Sequence, residues 1–157
     1  MNETVTEILR ALVGAFFGSV GFAMLVHVPK RSWLPSGMIA GLSYLLYWAL
    51  TRPAGLPDPV GIFAGSLFGC LMGHVCAWRM KMINTVFLTA AVVPVVPGLG
   101  LYRMMAQLGQ GNTAGGASMG VGTMVTIAMI VLGLTLGSFI FRQMRHAKEH
   151  ARGGGKE

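Results

Sequence analysis

The chain has 157 residues, of which 54% are hydrophobic and only 11% charged, and its mean hydropathy is +0.64. That balance excludes an ordinary soluble domain and a disordered chain, and points to an integral membrane protein. The formal net charge of +7 does not mark a nucleic-acid binder, because the cations sit in short loops and a tail beside apolar runs, where anionic lipid headgroups attract them.

A membrane span needs about 20 mainly apolar residues. Five runs qualify in chain order: Ile8 to Val28, Leu34 to Leu50, Val60 to Trp78, Asn84 to Met104 and Met119 to Phe141. The expected fold is an all-α integral membrane protein. It comprises a five-helix transmembrane domain over 1–141 and a basic cytoplasmic tail over 142–157, which is polar and expected to fray. Glu3 and Glu7 precede the first run where a cleavable signal would carry Lys or Arg, so that span is expected to stay in the mature protein.

No Asp or Glu falls in the middle of any span. Titratable groups within the membrane are functional candidates, which leaves His27 and His74, near the cytoplasmic ends of spans one and three. Each is either a proton-coupling group or a histidine hydrogen-bonded at the interface. In the third span Cys70 and His74 share a helix face but Cys76 does not, and structural zinc wants four placed ligands, so no metal site is expected. The two cysteines lie too far apart along the helix to form a disulfide. The twelve methionines read as adaptable packing.

Glycines repeat at intervals of four: Gly61, Gly65, Gly69 and Gly73 in span three, with Gly14/Gly18, Gly37/Gly41 and Gly133/Gly137 elsewhere. Such faces let helix backbones approach closely in lipid. The long stripe in span three serves packing within the subunit or against another chain, a homo-oligomer included.

The fourth span is the unusual one. Pro94, Pro97, Gly98 and Gly100 interrupt an Ala-Val-rich run, and proline in a helix interior removes a hydrogen bond and crowds the preceding turn. Opened backbone survives in hydrocarbon only where it is buried in protein or lines a polar cavity, as in the discontinuous helices of transporters. Ten residues from Asn84 at roughly 1.5 Å each reach about the bilayer midplane, so the break is expected there. The half-helix starting near Pro97 would present the N–H groups of Gly98, Leu99 and Gly100, which favour an anion such as a carboxylate. Arg103 either attracts that anion or snorkels to outer headgroups and pairs with Glu7 or Asp58. The connection Met105 to Ser118 contains a Gly-rich stretch, Gly109 to Gly116, that lacks the Lys-Ser/Thr ending of a phosphate cradle. It reads as a mobile outer loop.

With five spans, Lys30, Arg31, Arg79, Lys81, Arg142, Arg145, Lys148, Arg152 and Lys156 fall on one side and Arg10, Arg52 and Arg103 on the other. By the positive-inside rule the N-terminus is outside and the C-terminus cytoplasmic. Trp33 and Trp78 then mark the inner boundary, and Tyr47, Trp48 and Tyr102 the outer one.

The run Val20-Gly-Phe-Ala-Met-Leu-Val-His-Val-Pro29, the block Ala90-Ala-Val-Val-Pro94-Val-Val-Pro97-Gly98, and Tyr102 and Met105 after it resemble the threonine/serine exporter family. The likeness is to its small, YjjB-like subunit and covers nearly the whole chain. It implies one half of a bacterial inner-membrane exporter of threonine and serine, or of succinate when the two halves are separate polypeptides. It also implies a larger, YjjP-like partner with five further spans and a cytoplasmic domain. The two halves would be inverted relative to one another, with substrate at their interface. On this reading Pro94, Pro97, Gly98, Leu99, Gly100, Tyr102 and Arg103 bind substrate, and no cofactor is needed. Two other classes are weighed against it. The chain has no paired carboxylates within its spans, no His-Glu-x-x-His and no Gly-x-Ser-x-Gly, so an enzyme is not expected. A structural or regulatory membrane subunit is the alternative, and would have no need of a broken span.

Overall fold

The computed structural model describes residues 2–81 and 97–153, with side chains for 6–81 and 97–145. The described residues form five α-helices: α1 (Asn2–Leu25), α2 (Trp33–Thr51), α3 (Asp58–Met80), α4 (Gly98–Gly109) and α5 (Thr113–Gly153), with a 3-10 turn at Lys30–Ser32. α1 packs on α2, α2 on α3, α3 on α5, and α5 on α4, so the described helices stand side by side in the order α1, α2, α3, α5, α4.

Small residues set these contacts. A Cβ on Gly37 of α2 would lie 2.6 Å from the Phe16 ring of α1, and one on Gly41 would meet Leu12 at 3.9 Å. On α3, a Cβ at Gly65 would fall 3.0 Å from the Ser43 carbonyl oxygen, and one at Gly61 would crowd Thr51 and Tyr47. Gly61, Gly65, Gly69 and Gly73 are all buried, so the long stripe is used within the subunit. Gly14 and Gly18 have nothing within 4 Å.

The same contacts fix direction. Along α1 and α2, and along α2 and α3, rising numbers meet falling ones, so both pairs are antiparallel. α3 and α5 are parallel: Ser66 meets Gly133, Cys70 meets Gly137 and His74 meets Phe141, every pair being 67 residues apart. α4 returns antiparallel along α5, with Gly100 against Thr123, Met104 against Gly120 and Leu108 against Gly116.

Three helical stretches are long and apolar enough to cross a membrane: Thr6–Leu25 of α1, the whole of α3, and Thr113–Arg145 of α5. α2 has 19 residues, but serines, tyrosines and tryptophans dilute its hydropathy. α4 has 12 residues, too few to cross alone.

Two expectations change. The Gly-rich stretch Gly109 to Gly116, expected to be a mobile outer loop, is a tight turn, with helix up to Gly109 and again from Thr113. Gly111 takes φ +78 and closes α4 by the bonds Gly111 N–H to Leu108 O and Asn112 N–H to Gln107 O, a Schellman ending. Asn112 then caps α5, its Oδ1 accepting from the Gly115 N–H at 3.0 Å. At the other end, α5 passes Phe141 and continues to Gly153 instead of fraying. Its 33-residue apolar part corresponds to about 50 Å of helix, well over the bilayer core, so it extends beyond the membrane or crosses with tilt.

Candidate functional site

α4 begins where the prolines and glycines predict a new helix. Pro97 is its N-cap, with φ −78 and ψ 50, and no side chain caps the first turn. The first intrahelical bond runs from Leu101 N–H to Pro97 O at 3.0 Å. The N–H groups of Gly98, Leu99 and Gly100 precede it, and a helix start supplies no intrahelical acceptor for these three. Gly98 is exposed and a Cβ there would meet nothing within 4 Å among the described residues, so its backbone is open on that side. Gly100 is the opposite case. A Cβ there would lie 2.8 Å from Thr123 Oγ1, so glycine is what lets α4 lie against α5. Leu99 is 61% and Tyr102 70% exposed, and Arg103 is exposed beside them. Six of the seven residues expected to bind substrate therefore occupy the first two turns of one helix. The seventh, Pro94, lies outside the described residues, as does most of the expected span from Asn84 onward.

The level of the α4 start follows from its neighbours on α5. Thr123, the neighbour of Gly100, is level with the residues just before Asp58 if the 67-residue offset between α3 and α5 is carried along both helices. The start of α4 therefore stands beside the Asp58 end of α3, not halfway along it. The count of ten helical residues from Asn84 concerns the break near Pro94, and those residues lie outside the described ones; from Gly98, α4 runs past Met104 to Gly109 alongside the extended α5. Arg103 does not pair with Glu7 or Asp58 among the described residues. Asp58 instead accepts from the Tyr47 hydroxyl at 3.4 Å.

The two histidines lie apart from this helix start. His27 ends α1 in the left-handed region at φ 56, with its own N–H bonded to Met24 O and that of Val28 to Ala23 O. This is again a Schellman ending, made without glycine, and the imidazole Nδ1 lies 3.2 Å from Leu25 O. The short link behind it is fastened by Trp33 Nε1–H donating to Val28 O at 2.9 Å. His74 is half-buried in α3. Its Nδ1 lies 2.8 Å from the Cys70 carbonyl oxygen and its ring packs against Phe141, centroids 4.8 Å apart and planes tilted by 43°. Cys70 is fully buried and reaches across to Leu134 O at 3.3 Å and Ser138 Oγ at 3.4 Å, tying α3 to α5. Among the described residues no three His, Cys, Asp or Glu side chains are placed to hold a metal.

One group escaped the sequence reading. Arg79, Lys81, Arg142 and Arg145 line a single groove of about 690 Å³ between the ends of α3 and α5. Each was counted as cytoplasmic charge, and the spacing of Arg142 and Arg145 by three would have shown a shared face had the helix been continued past Phe141.

The family described as Threonine/Serine exporter, ThrE, matches residues 11–140. A curated relative, described as a probable threonine/serine exporter from Mycobacterium tuberculosis (strain ATCC 25618 / H37Rv), is 26% identical over 140 residues. That match covers 88% of this chain but 26% of the relative, so the chain spans about a quarter of that protein's length. No solved structure matches the chain.

Proposed function

The chain belongs to the threonine/serine exporter family, a family of transporters and not of enzymes, and from that premise we propose that it is one subunit of a secondary transporter. The subunit exports small carboxylates or amino acids, of threonine, serine or succinate type, across the bacterial inner membrane. One observation carries the reading to particular residues: α4 starts at Pro97 with an uncapped first turn whose Gly98 is open to approach. A helix N-terminus of this kind attracts a carboxylate through its N–H groups and its dipole. Arg103, about one turn further on, adds a positive charge to the same neighbourhood.

The helix directions favour five crossings. α3 and α5 are parallel, so the chain between them returns from one end of α3 to the other, and α4 begins where that return has reached the Asp58 end. α2 makes the second crossing, covered by α1 and α3 instead of by hydropathy alone. With the positive-inside rule we read this as the N-terminus outside, the basic tail inside, and the start of α4 at the outer mouth. A carboxylate held there is at the exit side of an export path. On this reading a larger partner supplies the rest of the path and the coupling group.

The test is efflux of labelled threonine, serine and succinate from vesicles holding this chain with its larger partner. Gly98→Val adds bulk at an open position, so insertion and folding are expected to persist while export falls at least tenfold. Export unchanged in Gly98→Val would remove the α4 start from the substrate path. Robust export by the chain alone would remove the two-component reading.

A further inference from the structure

We propose that the groove between the C-terminal end of α3 and the adjoining part of α5 is a binding site for the phosphate of an anionic phospholipid. The parallel arrangement of the two helices creates it. His74 and Phe141 pack against each other at one level, and beyond them α3 ends at Met80 with Lys81 in the left-handed conformation, while α5 continues. One helix stops beside another that does not, and the step between them is the groove.

Its lining is unusual in composition. Arg79 and Lys81 come from the α3 end, Arg142 and Arg145 from successive turns of α5, and no Asp or Glu is among the described lining residues. The C-terminal carbonyls of α3 contribute roughly half a negative charge, which Arg79, Lys81 and Arg142 outweigh without Arg145, which has a contact of its own. Guanidinium groups suit phosphate because they present paired donors to its oxygens. The other lining side chains are Ala77, Trp78 and Phe141, with His74 at the inner end of the groove against Phe141. Trp78 is 58% exposed at the end of a span, the position where an indole sits at headgroup level beside lipid chains. Charge for the phosphate and apolar surface for the acyl chains therefore occur on adjacent walls of one groove of about 690 Å³. Basic pockets between transmembrane helices on the cytoplasmic side bind lipid headgroups by this combination.

The same lining disfavours an amino-acid substrate. The ammonium group of threonine or serine would meet four cations with no described carboxylate to receive it, and phosphatidylethanolamine carries the same handicap. A headgroup with a phosphate and no ammonium, such as phosphatidylglycerol, does not.

Binding to the purified full-length chain in detergent tests this, read by native mass spectrometry with phosphatidylglycerol, phosphatidylethanolamine or inorganic phosphate added. Phosphatidylglycerol is expected to stay bound where phosphatidylethanolamine dissociates. The double variant Arg142→Gln/Arg145→Gln is expected to weaken phosphatidylglycerol binding by about thirtyfold, from the contribution of two basic side chains near an anionic headgroup. Arg142→Lys/Arg145→Lys keeps the charge and is expected to retain most of the affinity. Arg10→Gln/Arg52→Gln, at the opposite end of the helices, is expected to leave it unchanged. Equal retention of the two lipids, or unchanged affinity in the Arg142/Arg145 glutamine variant, would overturn the proposal. Displacement of the lipid by millimolar inorganic phosphate would overturn it too, by showing a site for the free anion.

Discussion

Replacing Gly133 with Ala puts the packing of α3 on α5 to a quantitative test. A methyl group there would run into Ser66 Oγ and would lie 2.9 Å from the Phe63 carbonyl oxygen and 3.1 Å from the Leu67 nitrogen. The last two atoms belong to the backbone of a helix and cannot swing aside, so α3 and α5 must part. Overpacking of this kind costs about 1–3 kcal/mol, and the better helix propensity of alanine returns up to about 1 kcal/mol. The expected net effect is a loss of roughly 1–2 kcal/mol. At Gly14 nothing lies within 4 Å, so the same substitution leaves only the propensity gain, a stabilisation of up to about 1 kcal/mol. Reversible unfolding in mixed micelles, followed by circular dichroism, should give opposite signs for the two variants. A Gly133→Ala variant as stable as the parent would refute the parallel register, and with it the placement of α4 beside the Asp58 end of α3.

The turn between α4 and α5 offers a second check: Gly111→Ala, forced to φ +78, should lose about 1–2 kcal/mol, and Asn112→Ala about 1 kcal/mol through its lost cap. Limited proteolysis should then cut both variants faster between Met105 and Ser118, whereas an already mobile loop would be cut equally fast in all. His27→Gly should relieve a left-handed non-glycine residue and leave stability equal or up to about 1 kcal/mol higher. Its export is expected to keep the parent's pH dependence, and a variant that exports with a flattened pH profile would return His27 to the role of proton carrier.

Much of this arrangement is written locally, and what is not depends on how helices meet. Apolar runs marked α1 and α3 because a span shows itself by length and hydropathy alone, and Pro97-Gly98 marked the start of α4 because no helix continues easily through it. Cys70 and His74 were placed on one face by their spacing, and they do lie together, with Sγ 3.5 Å from Nδ1. The turn at Gln110–Asn112 was also local, but the glycines around it were read by composition. Gly111 and Asn112 are helix-ending and helix-starting residues in sequence order, which a reading of Gly109 to Gly116 as one flexible stretch obscures. The depth of the α4 start was not local at all. It depends on which residue of α5 Gly100 touches, and on an offset set by Gly133 and Gly137 against a different helix.

The parallel pairing of α3 and α5 has consequences at both ends of the pair. Parallel neighbours need a return path, and the return path here ends in a helix that begins uncapped at Pro97 beside the Asp58 end of α3. At the far end the same pairing places Lys81 and Arg145 on one groove, because both helices arrive there running the same way. An antiparallel partner for α3 would have set its C-terminal end against the start of another helix, whose positive dipole would add to Arg79 and Lys81 and repel them. A cationic cluster at one end and an open helix N-terminus at the other thus follow from one choice of helix direction. Substitutions at Gly133 and Gly137 that part α3 from α5 are expected to disturb both ends together, although neither glycine touches either one.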